Sequence, residues 1–277
     1  MKKAMAIVCG AVLALAYAAS PATAQTKFAF KLTGGLAYAG GGDLNTGLQG
    51  WSDTWITAWG STSHIGGYMP FHLGMDFGGE FLIQFNPSFA LGLGAGYISL
   101  SKSSSLTFEG SSTYTWNPKV SAIPITATFY YFLPSTSTMK FFLDAGVGYY
   151  VGAKYTDTQH IIFFSAYDDM LDMSGSGFGF HGGLGLQIDF SPQIALLLEA
   201  RGRYASLKGF TGTETSTGGS PFTGTLYYEE AQIFGTAYLP VTTVDTSVPS
   251  GTGVRNGREA TIDFSGFSAL IGFVFHF

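Results

Sequence analysis

Histidine and aspartate side chains are the groups in this sequence whose chemistry could support hydrolysis. His64, His160 and the neighbours Asp168 and Asp169 would supply a general base and carboxylates, and all four fall in predicted connecting segments. A hydrolase needs a nucleophile, a base and an orienting acid within hydrogen-bond reach of one another. None of these residues has a spacing that builds that arrangement, so we predict no catalytic residues and no enzymatic activity.

Carboxylates could also hold a metal ion, and three of them cluster at Asp168, Asp169 and Asp172. A calcium loop places its ligands at alternate positions around a glycine, and this segment lacks both features. A solvated acidic segment is the simpler interpretation. The only cysteine, Cys9, lies in the N-terminal apolar stretch, which leaves the rest of the chain without a thiolate ligand or a disulfide. We therefore predict no metal and no cofactor.

Tryptophan recurs every four residues at Trp51, Trp55 and Trp59. This spacing puts the three rings on one face of either a helix or a strand, and the periodicity does not decide between them. The rings either contact a ligand or a membrane boundary, or they pack inside the predicted first loop. We favour packing, with residues 160–167 as the partner segment.

The composition indicates what kind of protein must position these groups. Charged residues make up 11% of the chain, against about 25% in ordinary globular domains. The net charge is −5 and there is no basic cluster, which argues against a nucleic-acid partner. Two lysines and a short apolar stretch precede Ala22, Thr23 and Ala24, which predicts a signal peptide over residues 1–24 and a mature domain over residues 25–277.

Two-residue alternation of apolar and polar side chains is the strongest pattern in the mature chain. It is clearest over residues 71–85, where Phe71, Phe77 and Phe81 share the predicted lipid face and Asp76 and Glu80 lie on the other. The eight segments with this pattern are residues 28–38, 71–85, 89–99, 121–133, 141–155, 178–190, 194–204 and 262–277. Connections of about 30, 20, 20 and 50 residues alternate with tight turns, as expected of extracellular loops and periplasmic turns.

These features predict an all-β fold, an eight-stranded antiparallel transmembrane up-and-down β-barrel with long extracellular loops. Only closed barrels and helices satisfy every backbone group inside lipid. No stretch of the mature chain has the roughly 18 consecutive apolar residues of a membrane helix. An even strand count with long first and last loops places both termini in the periplasm.

Motifs in the middle of the chain and at its C-terminus resemble a known family. The run Phe273-Val274-Phe275-His276-Phe277 is similar to the signal by which the barrel assembly machinery recognises outer-membrane barrels. Ile-Pro at 123–124, Tyr-Tyr-Phe at 130–132 and Gly-Val-Gly-Tyr at 146–149 resemble the small barrels grouped with OmpA, OmpX and OmpW. The resemblance covers the mature chain. It implies a Gram-negative cell outer membrane and an assembly signal at Phe273, Phe275 and Phe277, and we expect no peptidoglycan-binding domain of the OmpA kind.

Ionisable residues on the predicted inner face form a candidate network inside the barrel. The signs nearly balance, and charges in a narrow lumen persist mainly when they are paired. Either the network lines an ion or solute pathway, or it packs a closed barrel. We favour packing, because the lumen of eight strands is just wide enough for side chains. The predicted members are Lys31, Asp76, Glu80, Asp144, Lys154, His181, Asp189, Glu199, Arg201 and Arg203.

Three functions follow from this architecture. The leading hypothesis is a structural or surface-interaction barrel that acts through its extracellular loops. The second is a narrow, porin-like channel for small or hydrophobic solutes, which the resemblance to OmpW-type barrels allows. The third is an enzyme that modifies lipid or protein with loop residues. A soluble secreted β-protein of the lipocalin type is a further alternative.

The expected partners follow from the predicted location. They are the lipids and lipopolysaccharide of the outer membrane, the barrel assembly machinery during biogenesis, and an extracellular ligand bound through the loops. We expect a monomer.

Overall fold

The structure is a computed structural model that describes residues 26–277 except 61, 111, 135–137 and 163–164. The predicted signal peptide lies outside the described residues. The described part of the chain contains a helix, α1 (Asp43–Trp59), and seventeen strands. The helix is too short and too polar to cross a membrane.

The strands divide into eight that pair in sequence around one sheet and nine that lie in the connections. The first set is β1 (Lys27–Ala39), β3 (Leu73–Asn86), β4 (Phe89–Ser101), β7 (Lys119–Phe132), β8 (Met139–Ile162), β9 (Ala166–Asp189), β10 (Ile194–Tyr204) and β17 (Gly266–His276). The second set is β2 (His64–Gly67), β5 (Ser104–Phe108), β6 (Ser112–Trp116), β11 (Ser206–Leu207), β12 (Thr211–Ser216), β13 (Phe222–Ala231), β14 (Leu239–Asp245), β15 (Val254–Glu259) and β16 (Ile262–Asp263).

Antiparallel pairing links the first set from one neighbour to the next. β1 pairs with β3, β3 with β4, β4 with β7 and β7 with β8. β8 pairs with β9, β9 with β10, β10 with β17, and β17 with β1. The prediction of an all-β antiparallel protein is confirmed.

Side chains alternate between the two faces of this sheet. Leu36, Leu73 and Phe178 are 65–70% exposed on the outer face, whereas Lys31 and Glu80 are buried on the inner face. The prediction for Phe71 is wrong, because this ring is buried in the interior. β3 begins only at Leu73, and Asn45 of α1 bonds both backbone groups of Phe71, which turns this residue inward.

β8 and β9 continue far beyond the predicted spanning segments, into the segment predicted as a loop of about 20 residues. Their pairing is interrupted between Tyr150 and Ala153, where Gly152 adopts a positive φ of 54°. A bulge inserts an extra residue and reverses the faces beyond it. Tyr150 points inward on one side of the bulge, and Ala153 points inward on the other.

This bulge makes the assignment of Lys154 to the inner network wrong. The Lys154 side chain is exposed, and it forms an ion pair with Asp172 of β9, with Nζ and Oδ2 2.9 Å apart. On the same outer face of β8, Val147 and Tyr149 are the last exposed apolar residues before the bulge. The outer surface therefore changes there from apolar to polar.

The helix α1 lies between two glycine-dependent bends. Gly41 and Gly42 have positive φ before it, and Gly60 has positive φ after it and donates its N–H to Thr57 O. The tryptophan spacing, which fits both a helix and a strand, belongs to a helix. Leu44 and Leu48 lie one turn apart and are both buried, so α1 packs through this apolar face.

Candidate functional site

A group of buried charges lies at the middle of the eight-stranded segment. Lys31 of β1 lies directly opposite Glu80 of β3, and its Nζ is 2.9 Å from Glu80 Oε2 and 3.1 Å from Glu199 Oε2 of β10. Lys31 also donates a hydrogen bond to the Tyr130 hydroxyl of β7, and this hydroxyl donates to Glu80 Oε2. One cation therefore pairs with two carboxylates from different strands. Sequence reasoning missed Tyr130, which it read only as part of an aromatic motif.

Two arginines extend this group away from the tight turns. Arg201 lies two residues after Glu199 on the same face of β10, and their Nη2 and Oε1 atoms are 2.6 Å apart. Arg203 Nη1 lies 2.9 Å from Asp76 Oδ2 and 3.0 Å from Ser268 Oγ. Ser268 also donates to Asp76 Oδ2 at 2.7 Å, so this serine holds the pair, although no charge in the sequence marked it.

Three other predicted members differ in how they join the group. Asp144 is buried, and neither of its carboxylate oxygens has a hydrogen-bond partner among the described residues. His181 has its Nε2 3.1 Å from Thr128 Oγ1. Asp189 lies at the turn end of β9, where it is partly exposed and forms a 2.6 Å ion pair with Lys140. Asp189 is therefore separate from the Lys31 group.

Apolar layers enclose this polar group from both ends. On the side of the tight turns lie Leu82, Phe142, Leu197 and Val274, which are buried and pack together. On the other side lies a larger buried cluster. Its largest members are Tyr150, Tyr155, Phe71, Phe210 and Phe264. A space of about 30 Å³ beside Lys31, Asp76, Glu80 and Arg201 has room for about one water molecule.

A second site lies above these layers, among the connections. It is a cavity of about 660 Å³, formed by α1, β6, the far ends of β8 and β9, β12, the chain after β13, and β14. Six aromatic side chains line it: Trp51, Trp55, Tyr114, Tyr155, Tyr167 and Phe234. The sequence predicted only the tryptophans, because the other rings come from segments that are far apart in the chain.

Close backbone contact places the two tryptophans. Gly50 of α1 approaches Pro240 of β14 so closely that an added Cβ would lie 1.5 Å from the Pro240 carbonyl oxygen. Trp51 Nε1 donates to Thr242 O at 3.0 Å. The Trp55 ring stacks on Tyr114, with centroids 4.5 Å apart and planes at 24°.

The third tryptophan packs elsewhere. Trp59 stacks against Phe108 with ring centroids 5.3 Å apart, and it does not line the cavity. Trp59 and Ile161 both pack against the buried apolar cluster that contains Phe108. Ile161 comes from the segment that was predicted as the packing partner of the tryptophans. Packing and cavity lining therefore both apply to the loop aromatics.

Two carboxylates complete the cavity wall. Asp169 accepts hydrogen bonds from the Tyr167 hydroxyl at 2.9 Å and from Ser216 Oγ. Glu214 of β12 lies nearby, and its pKa is raised, first by burial and then by the charge of Asp169. Within the described part of the chain, no lysine, arginine or histidine forms an ion pair with either. No sequence pattern singled out Glu214.

The residues that suggested hydrolysis do not come together. His160 Nδ1 and Asp168 Oδ1 are 2.5 Å apart on the exposed face of β8 and β9, while His64 lies on β2 beside the Phe108 ring. Asp169 faces the cavity and Asp172 pairs with Lys154. The described residues contain no group of three or more ligands that could hold a metal ion.

The residues of the resembled assembly signal lie at the end of β17. Phe273 and Phe277 are exposed, and Phe275 is half-buried. The Phe277 N–H donates to Phe28 O at 2.9 Å, which continues the pairing of β1 and β17 past the last strand residue.

Comparison with known proteins identifies the family. The family model described as outer membrane protein beta-barrel domain matches residues 9–228, which is more than half of the chain. Among solved structures, the crystal structure of the outer membrane protein OprG from Pseudomonas aeruginosa matches with a TM-score of 0.37 and 11% identity, over 92% of this chain and 98% of that chain. No curated protein matches significantly. This chain, with its apolar outer face and polar interior, belongs to the family of outer membrane protein beta-barrel domains.

Proposed function

We propose that this protein crosses the outer membrane with eight strands, keeps its lumen closed, and binds a ligand in the cavity that its extracellular connections form. The circuit of antiparallel pairs from β1 to β17 supports the strand count. The exposed apolar residues on all eight strands support their contact with lipid.

The proposed topology places the tight turns and both termini in the periplasm. A signal peptide over residues 1–24 would export the chain, and Phe273, Phe275 and Phe277 would be the residues that the assembly machinery recognises. Lipids and lipopolysaccharide surround the outer face of a monomer in this proposal. The exposed face of β8 changes from apolar at Tyr149 to charged at Lys154. This change supports a position close to Gly152 for the extracellular surface of the membrane.

The observation that carries the closed lumen is the layering of the interior. A group of buried charged side chains linked by ion pairs lies between two buried apolar clusters. A conducting path would have to pass through both clusters, and the space beside Lys31 measures only about 30 Å³. Eight-stranded barrels are just wide enough for side chains to fill.

The observation that favours a surface-interaction role is the 660 Å³ cavity. Its volume falls within the range of about 300–1,000 Å³ that is typical of small-molecule sites. The proposal contains no catalytic step. Among the described residues, the exposed pair of His160 and Asp168 has no hydroxyl positioned on the second ring nitrogen of His160.

Single-channel recording in planar lipid bilayers tests the closed lumen. We expect no steady conductance from the folded protein, and none from Arg201→Ala, because the apolar clusters remain in place on both sides. Steady conductance that changes with Arg201→Ala would support the alternative of a narrow channel and would overturn the closed lumen.

A further inference from the structure

The cavity between α1 and β14 combines two kinds of wall. One part consists of aromatic rings, of which Trp55 and Tyr114 stack with their centroids 4.5 Å apart. The other part carries the carboxylates of Asp169 and Glu214. Aromatic faces attract cations through the ring quadrupole, and carboxylates attract them by charge. Both parts therefore favour the same type of ligand.

The negative charge of this site has no internal counter-ion. Glu214 makes no ion pair with any described residue. Burial raises the pKa of Glu214, and the negative charge of Asp169 raises it further. Asp157 of β8 is buried, and this burial raises its pKa to about 6. The hydroxyl of Tyr155 donates to Asp157 Oδ2 at 3.4 Å. A bound cation would reduce the repulsion among these three carboxyl groups.

Two arginines of the connecting segments form their ion pairs and ring contacts away from the cavity. Arg255 pairs with Glu230 and lies over the Tyr238 ring, while Arg258 pairs with Asp43 and lies over Tyr228. Neither ring lines the cavity. Across the described residues, no lysine or arginine covers any of the six rings of the cavity.

We propose that this cavity binds an organic cation, an ammonium group carried on an apolar or aromatic body. The ammonium group lies near Asp169 and Glu214, and the body contacts Trp51, Trp55 and Phe234. An anion would be repelled by both carboxylates, and a neutral aromatic would leave their charge uncompensated. This inference rests on the proposed surface-interaction role, for which it names the class of ligand.

Titration of the purified full chain with three aromatic compounds tests the inference. The compounds are benzyltrimethylammonium, the neutral benzyl alcohol and the anionic phenylacetate, in an uncharged maltoside detergent. All four tryptophans lie on α1 or β6, so their fluorescence reports on this half of the molecule. We expect the cation to bind at least about tenfold more tightly than benzyl alcohol, and phenylacetate not to bind.

Charge-removing variants separate the site from general adsorption. Glu214→Gln is expected to weaken binding of the cation by about tenfold, and the combination with Asp169→Asn to abolish it. Asp172→Asn is the matched control. Asp172 lies on β9, as Asp169 does, but its side chain faces outward and pairs with Lys154. The control should bind the cation as the parent protein does, and heat-modifiable gel mobility establishes that each variant is folded.

Several results would overturn the inference. These are equal binding of the neutral compound or the anion, unchanged affinity in Glu214→Gln, or no binding of any of the three compounds. Equal binding of benzyl alcohol in a protein that does not conduct would reject the cation and leave the proposed closed barrel with a binding cavity intact. Conductance together with selective cation binding would reject the closed lumen alone.

Discussion

Lys31→Met is expected to lower the free energy of unfolding by about 3–5 kcal/mol. The substitution keeps the length of the side chain but removes the charge that lies 2.9 Å from Glu80 and 3.1 Å from Glu199. Glu199 keeps Arg201 as a partner, whereas Glu80 loses its cation and keeps a hydrogen bond from Tyr130. A buried carboxylate without a cation is strongly destabilising. Urea unfolding in lipid vesicles, followed by gel mobility and circular dichroism, measures the change.

Two further variants make this prediction specific. Lys154→Met removes a lysine of an exposed ion pair and should cost less than about 1 kcal/mol. Adding Glu80→Gln to Lys31→Met removes the uncompensated charge and should restore more than half of the loss. Equal stability of the Lys31 and Lys154 variants would show that the Lys31 group does not support the barrel.

Gly50→Val is expected to displace α1 and to destroy the cavity between α1 and β14. A Cβ at this position would lie 1.5 Å from Pro240 O, so the helix must move away from β14. The hydrogen bond from Trp51 to Thr242 and the stack of Trp55 on Tyr114 would both be lost. Binding of a cavity ligand should fall by more than about tenfold, and forced overpacking should lower stability by about 1–3 kcal/mol.

Tryptophan fluorescence and limited proteolysis report this displacement without a ligand. We expect the emission to shift to longer wavelength and the chain to become cleavable around residues 40–60. Thr46→Val introduces the same side chain at an exposed position of the same helix and should leave both signals unchanged. An unshifted emission in Gly50→Val would mean that α1 does not pack on β14 as described.

The sequence predicted the inner and outer faces of the strands well, for a physical reason. Lipid excludes charge, so Lys31, Glu80 and Glu199 could only be placed on the side opposite the exposed apolar residues. Lys154 was assigned to the wrong face because one inserted residue reverses every later position. The sequence does not mark the bulge, since Gly152 is one of 39 glycines in the chain. The extensions of β8 and β9 were also not predicted, because the apolar alternation is lost beyond the bulge at Gly152.

The cavity could not be predicted from local patterns. Trp55, Tyr114, Glu214 and Phe234 come from four segments whose meeting depends on the connections around α1 and β12 to β14. The spacing of the tryptophans fitted both a helix and a strand. In the structure this segment is a helix, and it packs against β14, which is far away in the sequence. Glu214 carries no sequence signal, because an isolated acid in a threonine-rich segment is normally solvated.

Disulfide cross-linking between β1 and β17 tests the central claim most directly, namely that the first and last strands close the sheet around the Lys31 group. Leu36 and Ala269 lie opposite each other in the pairing register and both face outward. Opposed residues on antiparallel strands have Cα atoms about 4.5–5.5 Å apart, which a disulfide can bridge. With cysteines at both positions, a lipid-permeable oxidant should give an intramolecular disulfide in the membrane-embedded protein. Cysteines that stay reduced, or that link only different molecules, would contradict the closed sheet.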